Sequence, residues 1–85
     1  MPKLTTSKGK TFDVDYAWAP APDGSLHIQM RTDRRLHLIA KDFDACETIT
    51  YEDPQAGELI FTGYTAVRQI IGYDNGKVTV RLRQE

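Results

Sequence analysis

Eighty-five residues leave room for one domain with one core, residues 1–85. With 40 % hydrophobic and 27 % charged residues, the composition excludes a disordered chain, and a formal net charge of −1 excludes a field strong enough to gather nucleic acid or anionic lipid by charge alone. The single cysteine excludes an internal disulfide and fits a reducing compartment. The N-terminal MPKLTTSKGK has no apolar signal core, and no run is long enough to span a bilayer.

The chain opens with KLTTS, a short strand, and a turn at Gly9. KTFDVDYAW follows with strict alternation. Phe12, Val14, Tyr16 and Trp18 fall on one face and Thr11, Asp13, Asp15 and Ala17 on the other, the pattern of a half-buried antiparallel strand that places Trp18 on the core side. Pro20 and Pro22 end it, since neither can continue a central ladder. SLHIQMR restores the alternation, with Leu26, Ile28 and Met30 inward and His27, Gln29 and Arg31 outward.

After Asp33 the period changes. Leu36, Ile39, Ala40 and Phe43 recur at i, i+3, i+4 and i+7, which predicts an amphipathic helix near 33–43, capped by Thr32 or Asp33. Strands then return. ETITYE and ELIFT form a hairpin around DPQAG, Gly63 marks a bulge or kink before YTAVRQIIGY, and Asp74–Gly76 reads as a two-residue hairpin turn before KVTVRLR. The expectation is an α+β fold, mainly antiparallel β. About seven short strands form a curved sheet or small barrel, with the one helix plugging an open side.

Candidate chemistry is sparse. His27, His37, Asp42, Asp44 and Cys46 are the metal-ligand types, but no histidine pair has i, i+4 spacing and one thiolate cannot build a zinc site. DFDACE starts like a calcium loop, yet Glu47 stands where the loop needs glycine and Asp53 where it needs a bidentate glutamate. Asp13 and Asp15 share an outward face and are expected to pair with Arg81 and Arg83 across strands. Cys46 and His37 form the only conceivable nucleophile–base dyad, and Cys46 is expected instead to be buried. The reading is therefore a non-enzyme with no cofactor and no metal.

Two interaction surfaces remain. Arg31, Arg34, Arg35 and Lys41, with Tyr51, Tyr64 or Tyr73 as stacking platforms, would suit a single-stranded nucleic acid, although acidic residues beside them dilute the charge. A protein partner suits the same region better. On a helical wheel Leu38 lies opposite the apolar stripe, among Arg34, Arg35 and Lys41, and Trp18 is a possible further anchor. The helix also carries arginines at its N-terminus and Asp42 and Asp44 at its C-terminus, against its dipole. Arginines free to meet an acidic partner would make the isolated domain more stable when reversed to glutamate.

GKTFDVDYAWAP, RLHLIAKDFDACETITYED and GELIFTGYTAVRQI together resemble small tail-module proteins of phages and prophages in gut bacteria. That resemblance implies a structural or assembly component, in the cytoplasm of a bacterial host or in the virion, rather than a protein exported by the general secretory route. Its partner would be another protein or a second copy of itself. The resemblance carries over no catalytic or binding residues.

Overall fold

The computed structural model describes residues 2–84. Their elements follow the expected order: β1 (Lys3–Thr6), β2 (Thr11–Trp18), β3 (Leu26–Arg31), α1 (Leu36–Phe43), β4 (Thr48–Asp53), β5 (Gly57–Thr62), β6 (Ala66–Gly72) and β7 (Lys77–Arg83). The strands form one sheet in the order β5-β4-β1-β2-β3-β7-β6, and every neighbouring pair is antiparallel. The fold is thus α+β and mainly antiparallel, as the periodicity predicts.

β2 is the strand on which the two halves turn. Its first residues pair with β1, Lys3 opposite Asp13 and Thr5 opposite Thr11, while its last pair with β3, Ala17 opposite Ile28 and Trp18 opposite His27. Between them Asp15 is an extra residue, because Val14 faces Met30 and Tyr16 already faces Gln29. Such a bulge shifts the alternation by one residue. Val14 and Ala17 are therefore both buried, while Tyr16 and Trp18 stand outside, Trp18 with 44 % of its surface exposed. The strict alternation read from KTFDVDYAW fails at this point, and Trp18 is not a core residue.

In β3 and β7 period two holds. Leu26, Ile28 and Met30 of β3 and Val78, Val80 and Leu82 of β7 are all buried. They join Leu4, Ile49, Tyr51, Ile39, Phe43 and Cys46 in one core. The β6–β7 turn is longer than a two-residue hairpin. The Tyr73 N–H donates to the Lys77 carbonyl at 2.8 Å around Asp74, Asn75 and Gly76, and Gly76 takes a φ of +82° that suits glycine.

The sheet does not close into a barrel. β5 and β6 are its two edges and share no ladder; residues 63–65 link them. There the Gly63 N–H donates to the Glu47 carbonyl at 2.9 Å and Gln84 Nε2 to the Thr62 carbonyl at 3.2 Å. α1 rather than another ladder covers the open side. It runs along β6, with Leu36 beside Gly72 and Ala40 and Asp44 beside Val67, and its last residue stacks Phe43 on Phe12 of β2 at 5.1 Å.

α1 begins later than the 33–43 reading. Its N-cap is Arg35, with no side-chain cap, and the Thr32 hydroxyl accepts instead from the Arg34 N–H at 3.1 Å, ahead of the helix. Ile39 and Phe43 are buried as the stripe predicts. Leu38 is half-buried rather than outward, and Leu36 is the exposed leucine at 40 %. Leu36 stands in the first turn beside the end of an edge strand, where no further strand covers it.

Candidate functional site

The structure does not assemble the helix patch that the sequence suggests. Arg34 turns back along α1 and donates from Nε to Asp42 Oδ2 at 2.8 Å, with a longer contact of 3.4 Å from its second terminal nitrogen to Oδ1. Asp42 is buried, so this pair is an internal tie rather than a free arginine. Of the helix's reversed end charges, Arg34 and Asp42 are thus paired within the helix segment itself, while Arg35 and Asp44 are exposed. Arg31, Arg35 and Lys41 are exposed. Trp18 lies on the outer face of the sheet at the far end of β3 from Arg31, and α1 lies on the inner face, so Trp18 is not part of one surface with the helix.

The other candidates also separate. Cys46 is buried, and its thiol donates to the Asp42 carbonyl at 3.2 Å. His37 is exposed. Asp13 is the Cα partner of Lys3, Asp15 sits in the bulge, and β3 lies between β2 and β7, so neither carboxylate pairs with Arg81 or Arg83. Tyr51 and Tyr64 are in the core, which removes them as stacking platforms; burial, with the Asp53 carboxylate nearby, pushes the Tyr51 phenol up. Tyr73 remains available, 52 % exposed. Among the described residues no three of His, Cys, Asp and Glu converge as metal ligands. Among the described residues no helix is long and apolar enough to cross a membrane.

Two features emerge that the sequence patterns do not single out. The first is a groove on the outer face of β2, β3 and β7. Cross-strand pairing sets Trp18, His27 and Arg81 in one row and Tyr16, Gln29 and Thr79 in the next, and the β6–β7 turn adds Tyr73, Asn75 and Lys77. Trp18 meets the His27 ring edge-on at 5.5 Å. His27 Nε2 and Arg81 Nε are buried with no hydrogen-bond partner among the described residues. Leaving such a group unsatisfied costs about 1–3 kcal/mol.

Asp23 lies beside the groove residue His27. The Ser25 hydroxyl and the Ser25 N–H both donate to Asp23 Oδ1, and Arg68 donates to Oδ2 at 3.1 Å. His27 lies 3.7 Å away, beyond hydrogen-bonding distance. The Ser25 hydroxyl most of all, then the Ser25 amide, hold the Asp23 carboxyl below the usual carboxylate range against some loss of solvation, and Arg68 and His27 add to this. A lowered folded pKa contributes stability above the ordinary Asp range near about 3.9, and that stability is lost as pH falls through the folded value. Asp23→Asn is therefore expected to melt below the wild type at pH 6, with the gap closing toward pH 2.5. Thermal melts followed by circular dichroism across that range check this, and a gap independent of pH would contradict it.

The second feature is the β5 edge. Leu59 and Ile60 lie on opposite faces of this edge strand and are 54 % and 58 % exposed. Glu58 is the only charged residue in β5. The opposite edge is guarded: β6 carries a bulge at Arg68, polar Arg68 and Gln69 at its middle, and α1 alongside.

The exposure of Leu59 and Ile60 could not be read from GELIFT, because it depends on which strand stays unpaired. The groove was half legible: His27, Gln29 and Arg31 read as outward, whereas Tyr16 and Trp18 reach that face only through the bulge at Asp15. Comparison of the chain with family models, with curated proteins and with solved structures finds no match.

Proposed function

We propose that this protein is a structural, non-enzymatic assembly domain of the kind its resemblance to phage and prophage tail-module proteins implies, and that it pairs with a second copy of itself through β5. The observation that carries this reading is the contrast between the two edges. Proteins that remain alone protect their edge strands with lysine, proline, bulges or a covering element. β6 has such protection, and β5 offers Leu59 and Ile60 with a free row of backbone donors and acceptors. Antiparallel β5–β5 pairing would satisfy that row and cover an isoleucine on each copy, in the self-complementary manner of a two-fold dimer. A chain of this size also buries a smaller share of its surface on folding than a larger domain does, and association adds stability.

Light scattering after size exclusion should give a mass that rises toward the dimer with concentration. Ile60→Lys places a charge on the open edge and should hold the protein as a monomer with its circular dichroism unchanged. A wild-type monomer at about 1 mM, where an association of about −4 kcal/mol would already show, overturns the proposal.

A further inference from the structure

We infer that the groove on the outer face of β2, β3 and β7 binds nucleotide units, with phosphates against the Arg81 and Lys77 end groups and a base against Tyr16 and Tyr73. The groove measures about 460 Å³, within the range of sites that hold small organic ligands. Its floor is Gln29 and Thr79, uncharged and able to donate or accept, and its charged residues Lys77 and Arg81 are cationic, with His27 beside them. None of the eight lining residues is acidic, in a chain where acidic residues outnumber Lys and Arg by 12 to 11. Asp23 is engaged by Ser25 and Arg68, while Asp15 in the bulge and Asp74 in the β6–β7 turn are exposed.

Three observations point to a phosphorylated aromatic ligand rather than to a general surface. The Arg81 guanidinium and the Lys77 ammonium, both from β7, are permanent donors lining the groove, and an oxyanion is the acceptor class that suits both. Two aromatic side chains exposed to solvent, Tyr16 and Tyr73, line the same groove from β2 and from the β6–β7 turn. Trp18 extends the aromatic surface past His27 along the neighbouring row. Aromatic platforms on a sheet face, combined with a cationic track, are the common physical means of holding bases and phosphates without reading their order. β4 and β1 lie between the pairing edge at β5 and the nearest groove strand, β2, so β5–β5 pairing uses none of the groove's strands.

The probes are a labelled oligothymidylate of about ten nucleotides, thymidine monophosphate and inorganic phosphate, followed by fluorescence anisotropy directly and by competition. The oligonucleotide should bind with a log–log salt slope of about −1.4, from about −0.7 for each of the two phosphates met by Arg81 and Lys77. Tyr73→Ala and Arg81→Gln should each weaken it about tenfold or more, and Lys77→Gln should flatten the slope by about 0.7. Arg35→Gln, on the helix side, should leave it unchanged. Competition by the monophosphate at a similar concentration per nucleotide assigns the site to a free nucleotide, and much weaker competition assigns it to a strand; either supports the inference. No binding, displacement by inorganic phosphate as readily as by the monophosphate, or an equal loss in Arg35→Gln overturns it. Tyr73 is an exposed turn residue, so its variant keeps the test valid if Arg81→Gln fails to fold.

Discussion

Replacing Phe43 by alanine is expected to cost about 3–5 kcal/mol, a large share of the about 4–13 kcal/mol that a chain of this length has in all. Phe43 is fully buried at the last residue of α1 and stacks on Phe12, so it ties the helix to β2 across the open side of the sheet. Removing the ring deletes its transfer free energy and leaves a cavity that the flanking strands, fixed by their ladders, cannot collapse into. Urea unfolding should show a lower midpoint with an unchanged slope, as a change in stability alone requires. Leu36→Ala is the internal comparison. Leu36 is 40 % exposed, and its loss should cost under about 1 kcal/mol although it belongs to the same apolar stripe. Equal losses at the two positions would mean that the helix does not pack as described.

Arg34→Glu is expected to destabilise the isolated domain by about 2–4 kcal/mol, the opposite sign from that expected if the arginine served a partner. Asp42 is buried and takes its principal contact from Arg34 Nε at 2.8 Å. Reversal removes that donor and brings a second carboxylate toward a poorly solvated one, whereas moving charge to suit the helix dipole returns only about 0.3–1 kcal/mol. Because the Arg34 side chain is 37 % exposed, the solvent softens the loss, and the lower part of the range is the better guide. Arg35→Glu, which the same dipole argument governs without a pair to break, should be neutral or slightly stabilising. Thermal melts of the two variants side by side check this. A stability gain in Arg34→Glu would show that the pair contributes nothing and would return Arg34 to the exposed surface.

The sequence determined what local patterns determine: seven strands, one helix, their order, and the core residues of β3 and β7, whose alternation is unbroken from Leu26 to Met30 and from Val78 to Leu82. Those features rest on side-chain periodicity, which a single segment carries by itself. The helix was legible from Ile39 and Phe43, but its start was not. Thr32 and Asp33 have capping chemistry, and choosing between a cap and a preceding turn depends on where β3 releases the chain. Tertiary pairing decided the rest. Asp15 became a bulge because β2 must serve β1 with one stretch and β3 with the next, and the extra residue turned Tyr16 and Trp18 from predicted core to outer face. Arg34 reached Asp42 only once the helix had brought the two together. Whether Leu59 and Ile60 are core or edge depends on which strand lies last in the sheet, a long-range relation that no window of sequence contains. The barrel suggested by the strand count stayed open because α1, not a β5–β6 ladder, came to cover the remaining side.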